Sequence, residues 1–457
     1  MLLRRVNFNL HLCSAIEQDA SCAIYYSNRA AAYMKLNRVE EALKDLNNSI
    51  QIEPSMKAWM RRSQVRLELG QYADAFSDCK QAMILEPRNK HVWRILNTIE
   101  THDLLLAPEI QLYRYQVACQ KLRVMGNPMP PCLTGHATCT IDDVVYMFGG
   151  RSAGAGGENQ YFYCFDIEDR YWSSLETRGP AVPQARSWHT LNSVKPHHII
   201  ILFGGVSPRG EYSDMWLYHS RDQKWTPMLP TPGQEWPSAR SGHSATIIPN
   251  TKDKNVYDMY VFGGRSKNGA FNELWRLSLI FKAHDSTPAI YWQQLHRSKN
   301  DQWPAARDGH SICWLTKQNQ LIMYGGNGQD SREKLDDVWL LDLAKLTWLQ
   351  QEVSVGAPKP RAYHSMHVVG AFVFVIAGRT YDGEENVVYA LDTSSFRWYQ
   401  VPVDNLDAFA ARAWHSSEFC NDTILVFSGG GPSGPLQDTV ALMLTGTVLL
   451  EVEPASV

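Results

Sequence analysis

The chain has 457 residues, 44% hydrophobic and 20% charged, with a net charge of −3. The length allows two or three domains, and the composition is ordinary for a soluble globular protein. The longest apolar stretch, Ala371 to Ala377, falls far short of the roughly 18 residues a membrane-spanning helix needs. Nine cysteines without a Cys-x-x-Cys pair speak for a reducing compartment, against a disulfide framework or a zinc site. The N-terminal stretch holds two arginines but no apolar run and no cleavage signal, which argues against a signal peptide and for a cytoplasmic location. Residues 1–125 carry a net +4 and the remainder a net −7. Neither balance marks nucleic-acid binding, while the basic first part suits an acidic partner.

In chain order, two copies of one helical unit come first. Tyr25 to Pro54 and Lys57 to Pro87 each read as helix, short turn, helix and proline stop. Aligned on the two prolines, Ala42 matches Ala75. His11 to Ala20 reads as the second helix of a preceding unit whose first helix is missing, so an upstream segment is absent or the domain is natively short. Asn89 to Glu100 reads as a capping helix or the start of a fourth unit. Helical character continues to residue 125 through Leu104, Leu112, Tyr115 and Leu122, and Gly126 to Pro131 (GNPMPP) then breaks it.

These units resemble the tetratricopeptide (TPR) repeat. YSNRAAAY is similar to modules that clamp the acidic C-terminal tail of heat-shock chaperones. The resemblance implies that Asn28, Lys57 and Arg61 hold terminal carboxylates, with Lys57 and Arg61 one turn apart on one helix face. Two further clamp positions belong to the missing helix.

From Gly135 the period changes. Arg-x-x-His recurs at Arg186, Arg240, Arg307, Arg361 and Arg412, and His136 begins a sixth unit with Leu133 in place of arginine. With His189, His243, His310, His364 and His415 it makes a series of six histidines. Each is followed by an apolar run ending in a glycine pair or its relic at Gly378, then by a third apolar run. In five units a tryptophan opens a fourth run: Trp172, Trp225, Trp292, Trp348 and Trp398. Four strands per unit with aromatics between units describe propeller blades. The pattern resembles the kelch repeat. The expected architecture is therefore multidomain: an α-solenoid of TPR-like helix pairs over 1–125, a Pro-rich linker over 126–131, and an all-β six-bladed kelch propeller over 132–457. Blade six is expected to supply its own fourth strand at Thr447 to Glu453, which makes every blade contiguous. The longer turns of blade three should face away from the mouth of the ring or toward its rim.

A phrase written five times is first of all architecture: His caps the inner strand, and Arg pairs with an acid near the third strand, such as Asp214, Glu273, Asp337 or Asp438. The differences between copies carry the functional reading. The kelch resemblance places the phrase on the ligand face, with Arg186, Trp188, Arg240, Arg307, Arg361, Tyr363, Arg412 and Trp414 as candidate contacts to a protein partner, and with variable loops after the glycines.

No catalytic motif emerges: no Walker loop, HExxH or GxSxG. Cys164 and Cys420 lack the companions a radical-copper oxidase needs, and the iron-ligand pattern of specifier proteins is missing. Six histidines around an axis are too far apart for one ion. The expected function is a non-enzymatic adaptor without cofactor, binding proteins and neither nucleic acid nor membrane. An enzyme using the propeller channel is the alternative. A ubiquitin-ligase receptor lacks a BTB or F-box segment.

Overall fold

A computed structural model describes residues 12–85, 89–103, 106, 110, 117–152, 157–176, 181–230, 232–282, 287–297, 301–352 and 356–444. The chain divides into two compact units, Met1–Arg114 and Tyr115–Val457. Among the described residues no helix is long and apolar enough to cross a membrane.

The first unit is built of helix pairs. Helices α1 (Ala23–Lys35) and α2 (Val39–Ile52) form one pair, and α3 (Met56–Glu68) and α4 (Tyr72–Leu85) the next; α5 (Lys90–His102) follows. The Ser55 hydroxyl caps α3 by accepting from the Ala58 N–H, and Asn89 caps α5 in the same way. Small side chains let the helices approach: Ala30, Ala42, Leu46 and Val65 are fully buried together. Each pair is also bolted by a bidentate ion pair, Arg29 to Asp45 and Arg62 to Asp78. The second bolt repeats the first at the equivalent positions of the next unit, and both carboxylates are almost wholly buried. Pro87 lies outside the described residues.

The second unit is a ring of six antiparallel sheets. Blades two to five are contiguous in sequence; blade two, for example, runs Thr190–Val194, Ile199–Phe203, Met215–His219, Lys224–Met228. The buried tryptophans of the fourth strands cement neighbours: Trp225 packs on Phe148 and Phe162 of blade one, 5.8 and 5.2 Å between ring centroids. The turn joining the first two strands of blade three lies at the end of the ring away from the histidines; residues 283–286 of its other long turn lie outside the described residues.

Closure departs from expectation. Thr447 to Glu453 lies outside the described residues, and the fourth position of blade six belongs to Val117–Lys121, paired antiparallel with the strand Thr439–Leu444. The fastening strand is flanked by Val403–Asp404, and Asn405 donates to the Cys119 carbonyl. Met125–Gly126 then joins the outer edge of blade one, and the Pro130 carbonyl accepts from Gln437. Residues 117–131 therefore belong to the propeller: they are neither helix up to 125 nor a linker over 126–131. Val117, Cys119 and Leu122 are buried, each such side chain contributing about 1.5–3 kcal/mol. Leu122 joins a cluster from both blades, and Trp172 meets Phe427 across the seam, 5.7 Å apart.

Candidate functional site

At the mouth of the ring the phrase Arg-x-x-His resolves into three layers. The arginines form the deepest. Arg186, Arg240, Arg307, Arg361 and Arg412 are fully buried, with a relative exposure of 0%. They pair within their own blades with Asp214, Glu273, Asp337, Glu385 and Asp438. Each also donates to the carbonyl of the first residue of the glycine pair, as Arg307 does to Gly325 at 3.0 Å. The arginine reading as partner contacts is thus corrected: a guanidinium with no surface and a full set of acceptors is a brace. Blade one lacks the brace: Leu133 takes the arginine position and is fully buried in the cluster between blades six and one. Sequence reading missed Glu385, which sits slightly earlier in its blade than the other acids. It also missed Trp216, Trp275 and Trp339, whose indole N–H groups hold three of the carboxylates.

The histidines form the second layer. His243, His310, His415 and His136 share hydrogen bonds through Nε2 with the hydroxyl that follows the histidine of the preceding blade: Thr190, Ser244, Ser365 and Ser416. Two blades break the rule. Ser311 turns its hydroxyl to the His364 carbonyl, and Ala137 offers no hydroxyl to His189, so both imidazoles have Nε2 buried without a partner among the described residues. Burial pushes all six below the ordinary imidazole range, His136 to about 4 and His243 and His364 to about 3. They are neutral near pH 7 and do not switch there.

Behind the histidines lie the glycine pairs. The second member is glycine in every blade, with φ between 90° and 106°, a region closed to side chains. The first member sits at φ 50–69° and is Gly149, Gly204, Gly263, Gly325, Ala377 and Ser428, because the left-handed helical region tolerates a side chain. In blade six the pair is therefore Ser428–Gly429, one residue before the two glycines that stand out in the sequence.

The residue before each histidine forms the outermost layer. Gly135, Trp188, Gly242, Gly309, Tyr363 and Trp414 are linked blade to blade by a closed circle of backbone hydrogen bonds, 2.7–3.1 Å each. All six have φ of 54–65°. Glycine adopts this readily; an aromatic there costs about 1–2 kcal/mol. Trp188 lies over Gly135, where a Cβ would come within 2.7 Å of its Nε1, and that buried Nε1–H has no partner among the described residues. Trp414 leans on Tyr363 at 5.3 Å. Tyr363 in turn donates to Asp308, which also accepts from Arg265 and Asn327. The histidines and these six residues line a pocket of about 120 Å³ on the axis. Of the sequence candidates, the structure thus gathers Trp188, Tyr363 and Trp414 at the mouth.

In the helical unit, Lys57 is exposed, Arg61 half-buried and Asn28 partly buried. Arg61 donates to the Ser27 carbonyl and hydroxyl at 2.8 Å, beside Asn28. Burial without a carboxylate lowers its pKa. Among the described residues no group of three or more His, Cys, Asp or Glu could hold a metal ion.

The sequence profile of the KLHDC2/KLHL20/DRC7 Kelch-repeats domain matches residues 135–288 and 286–454, more than half of the chain. The chain belongs to this kelch-repeat family. Among curated proteins it is similar to host cell factor 1 of Homo sapiens, 25% identical over 346 residues, covering 67% of this chain and 16% of that protein. It is also similar to kelch domain-containing protein 3 of Mus musculus, 26% identical over 281 residues, covering 58% of this chain and 66% of that protein. The chain thus spans about a sixth of the length of host cell factor 1. The fastening strand Val117–Lys121 precedes the profile match, and the kelch ring is complete only with it.

Proposed function

We propose that this protein is a non-enzymatic adaptor that holds one protein partner at the mouth of the kelch ring and another on its helical unit. One observation carries the reading. Three of the six ring positions hold strained aromatics where their sister blades hold glycine. Backbone strain of this kind is retained where the side chain has work beyond the fold. Trp188, Tyr363 and Trp414 offer rigid, amphipathic surface of the sort that anchors interfaces. The loops after the glycine pairs differ from blade to blade and supply the rim. Kelch-family membership supports protein binding as the function class. On the helical unit, a half-buried Arg61 that lacks a counter-charge, beside exposed Lys57, suits an acidic C-terminal peptide such as a chaperone tail. The free cysteines support a reducing, cytoplasmic setting.

The test is affinity capture with the full chain and with Trp188→Gly/Tyr363→Gly/Trp414→Gly. Glycine already occupies the same place in three blades, so the variant should fold. Loss of captured protein from a folded variant is the expected result; unchanged capture removes the mouth from the account.

A further inference from the structure

Strand direction puts the mouth at one end of the ring and the turns joining strands one to two and three to four at the other. That turn side is electrically split. Among the described residues, blades two and three present there six exposed cations, Lys195, Arg221, Lys224, Lys252, Lys254 and Lys282, against two exposed acids, Asp222 and Asp253; Asp285 of the Lys282 turn lies outside the described residues. Among the described residues none of the six cations forms an ion pair, and Asp253 is engaged with the Asn255 N–H of its own turn. Blades six and one present the opposite: Asp142, Asp143, Glu168, Asp169 and Asp422, with Arg170 as the nearby cation.

The basic sector is also shaped. A cleft of about 200 Å³ opens among His197, His198, His219, Arg221, Asp222 and Phe281. Its wall spans two blades, because His197 of blade two stacks on Phe281 of blade three with centroids 3.6 Å apart and planes 8° from parallel. His197, His219 and Arg221 supply directed N–H donors, while His198 Nδ1 lies 3.9 Å from Asp142 and marks the edge at which the acidic sector begins.

We propose that this cleft and its surrounding lysines form a second docking surface, which takes an acidic segment of a protein partner. The cleft admits a carboxylate side chain, and the lysines hold its acidic neighbours. The acidic sector on the same face decides between kinds of polyanion. A nucleic acid carries charge along its whole length and would be repelled where it ran over Asp142, Asp143, Glu168 and Asp169. A short acidic peptide can end before that sector. The surface is separate from the mouth and does not depend on the adaptor reading.

The experiment is fluorescence anisotropy with a labelled hexaglutamate peptide and the full chain at low ionic strength. Lys195→Glu/Arg221→Glu/Lys252→Glu changes only exposed side chains and should melt like the parent. Its affinity for the peptide should fall about tenfold or more, since several surface charge pairs are lost together. Salt should weaken parental binding, and Trp188→Gly/Tyr363→Gly/Trp414→Gly should bind as the parent does. The proposal is overturned by absence of binding, by equal binding to the charge-reversed variant, or by loss in Lys57→Ala/Arg61→Ala instead, which assigns the peptide to the helical unit. Equal displacement by a single-stranded oligonucleotide of the same charge overturns the peptide assignment.

Discussion

Consider Arg307→Leu. The parent guanidinium is fully buried and makes four hydrogen bonds: two to Asp337 at 2.7 Å, one to the Gly325 carbonyl at 3.0 Å and one to the Ala305 carbonyl at 3.1 Å. Leucine leaves the Asp337 carboxylate, only 18% exposed, with the Trp339 indole as its remaining side-chain donor. Breaking one partner out of a buried pair costs about 3–5 kcal/mol. For a unit of this size that is a fall in melting temperature of roughly 4–7 °C. Replacing both partners is a different perturbation, because no lone charge remains. Blade one has Leu133 and Tyr161 at the two equivalent sequence positions and forms its sheet without the ion pair. Arg307→Leu/Asp337→Tyr should therefore be more stable than Arg307→Leu alone, with a coupling of about 2 kcal/mol or more in a double-mutant cycle. The assay is thermal and urea unfolding followed by tryptophan fluorescence. Additive losses, or a single-variant loss below about 1 kcal/mol, would refute the brace.

Three further outcomes follow from the ring. Ala137→Ser gives His189 the hydroxyl its neighbours have and should add about 0.5–1.5 kcal/mol, read as a rise of a few degrees in melting temperature; no rise would count against the inter-blade hydroxyl rule. Acid should unfold the ring early. The six imidazoles have folded pKa values below their unfolded value of about 6.5, so the unfolded chain takes up more protons as pH falls through that value, at a cost of roughly 1 kcal/mol per imidazole by pH ~5.5. Glu418 works with the opposite sign. Burial raises its pKa although Thr138 and Thr140 donate to it, so its penalty grows as pH rises above the ordinary carboxyl range, and Glu418→Gln should narrow the gap in stability that this penalty creates between mildly acidic and neutral pH. A chain that begins at Leu122 should fail to form a stable propeller, since blade six loses its fourth strand; cooperative melting of that truncation at the parental temperature would contradict the fastening role.

Much of this was legible in the sequence because a repeat repeats its physics. Five copies of Arg-x-x-His, a glycine after the second strand of all six blades and five tryptophans fix blade number and strand order, since each copy meets the same neighbours. The closure was not legible. Val117–Lys121 is short, and its alternation is weaker than the helical spacing of Leu112, Tyr115 and Leu122 around it; its partner strand, Thr439–Leu444, lies at the far end of the chain. Such pairings are decided by tertiary packing, not by local preference. The site was legible in part. Aromatic variation before the histidines could be read directly, but the left-handed backbone that makes Trp188, Tyr363 and Trp414 unusual could not. The burial of the arginines was hidden for a related reason. The pairing of Arg186, Arg240, Arg307 and Arg412 with an acid near the third strand was legible; that it leaves each guanidinium with no exposed surface was not.

The most direct measurement of the central claim is hydrogen exchange on the full chain, free and bound to a captured partner. For a partner whose capture is lost in Trp188→Gly/Tyr363→Gly/Trp414→Gly, the account predicts slowed exchange in the loops that rim the mouth, Val206 to Tyr212, Gly328 to Leu335 and Thr380 to Glu385, whatever happens at the opposite end. Slowed exchange confined to the opposite end, at Lys195 to His198 and Ser220 to Lys224, with none at the mouth, would contradict it.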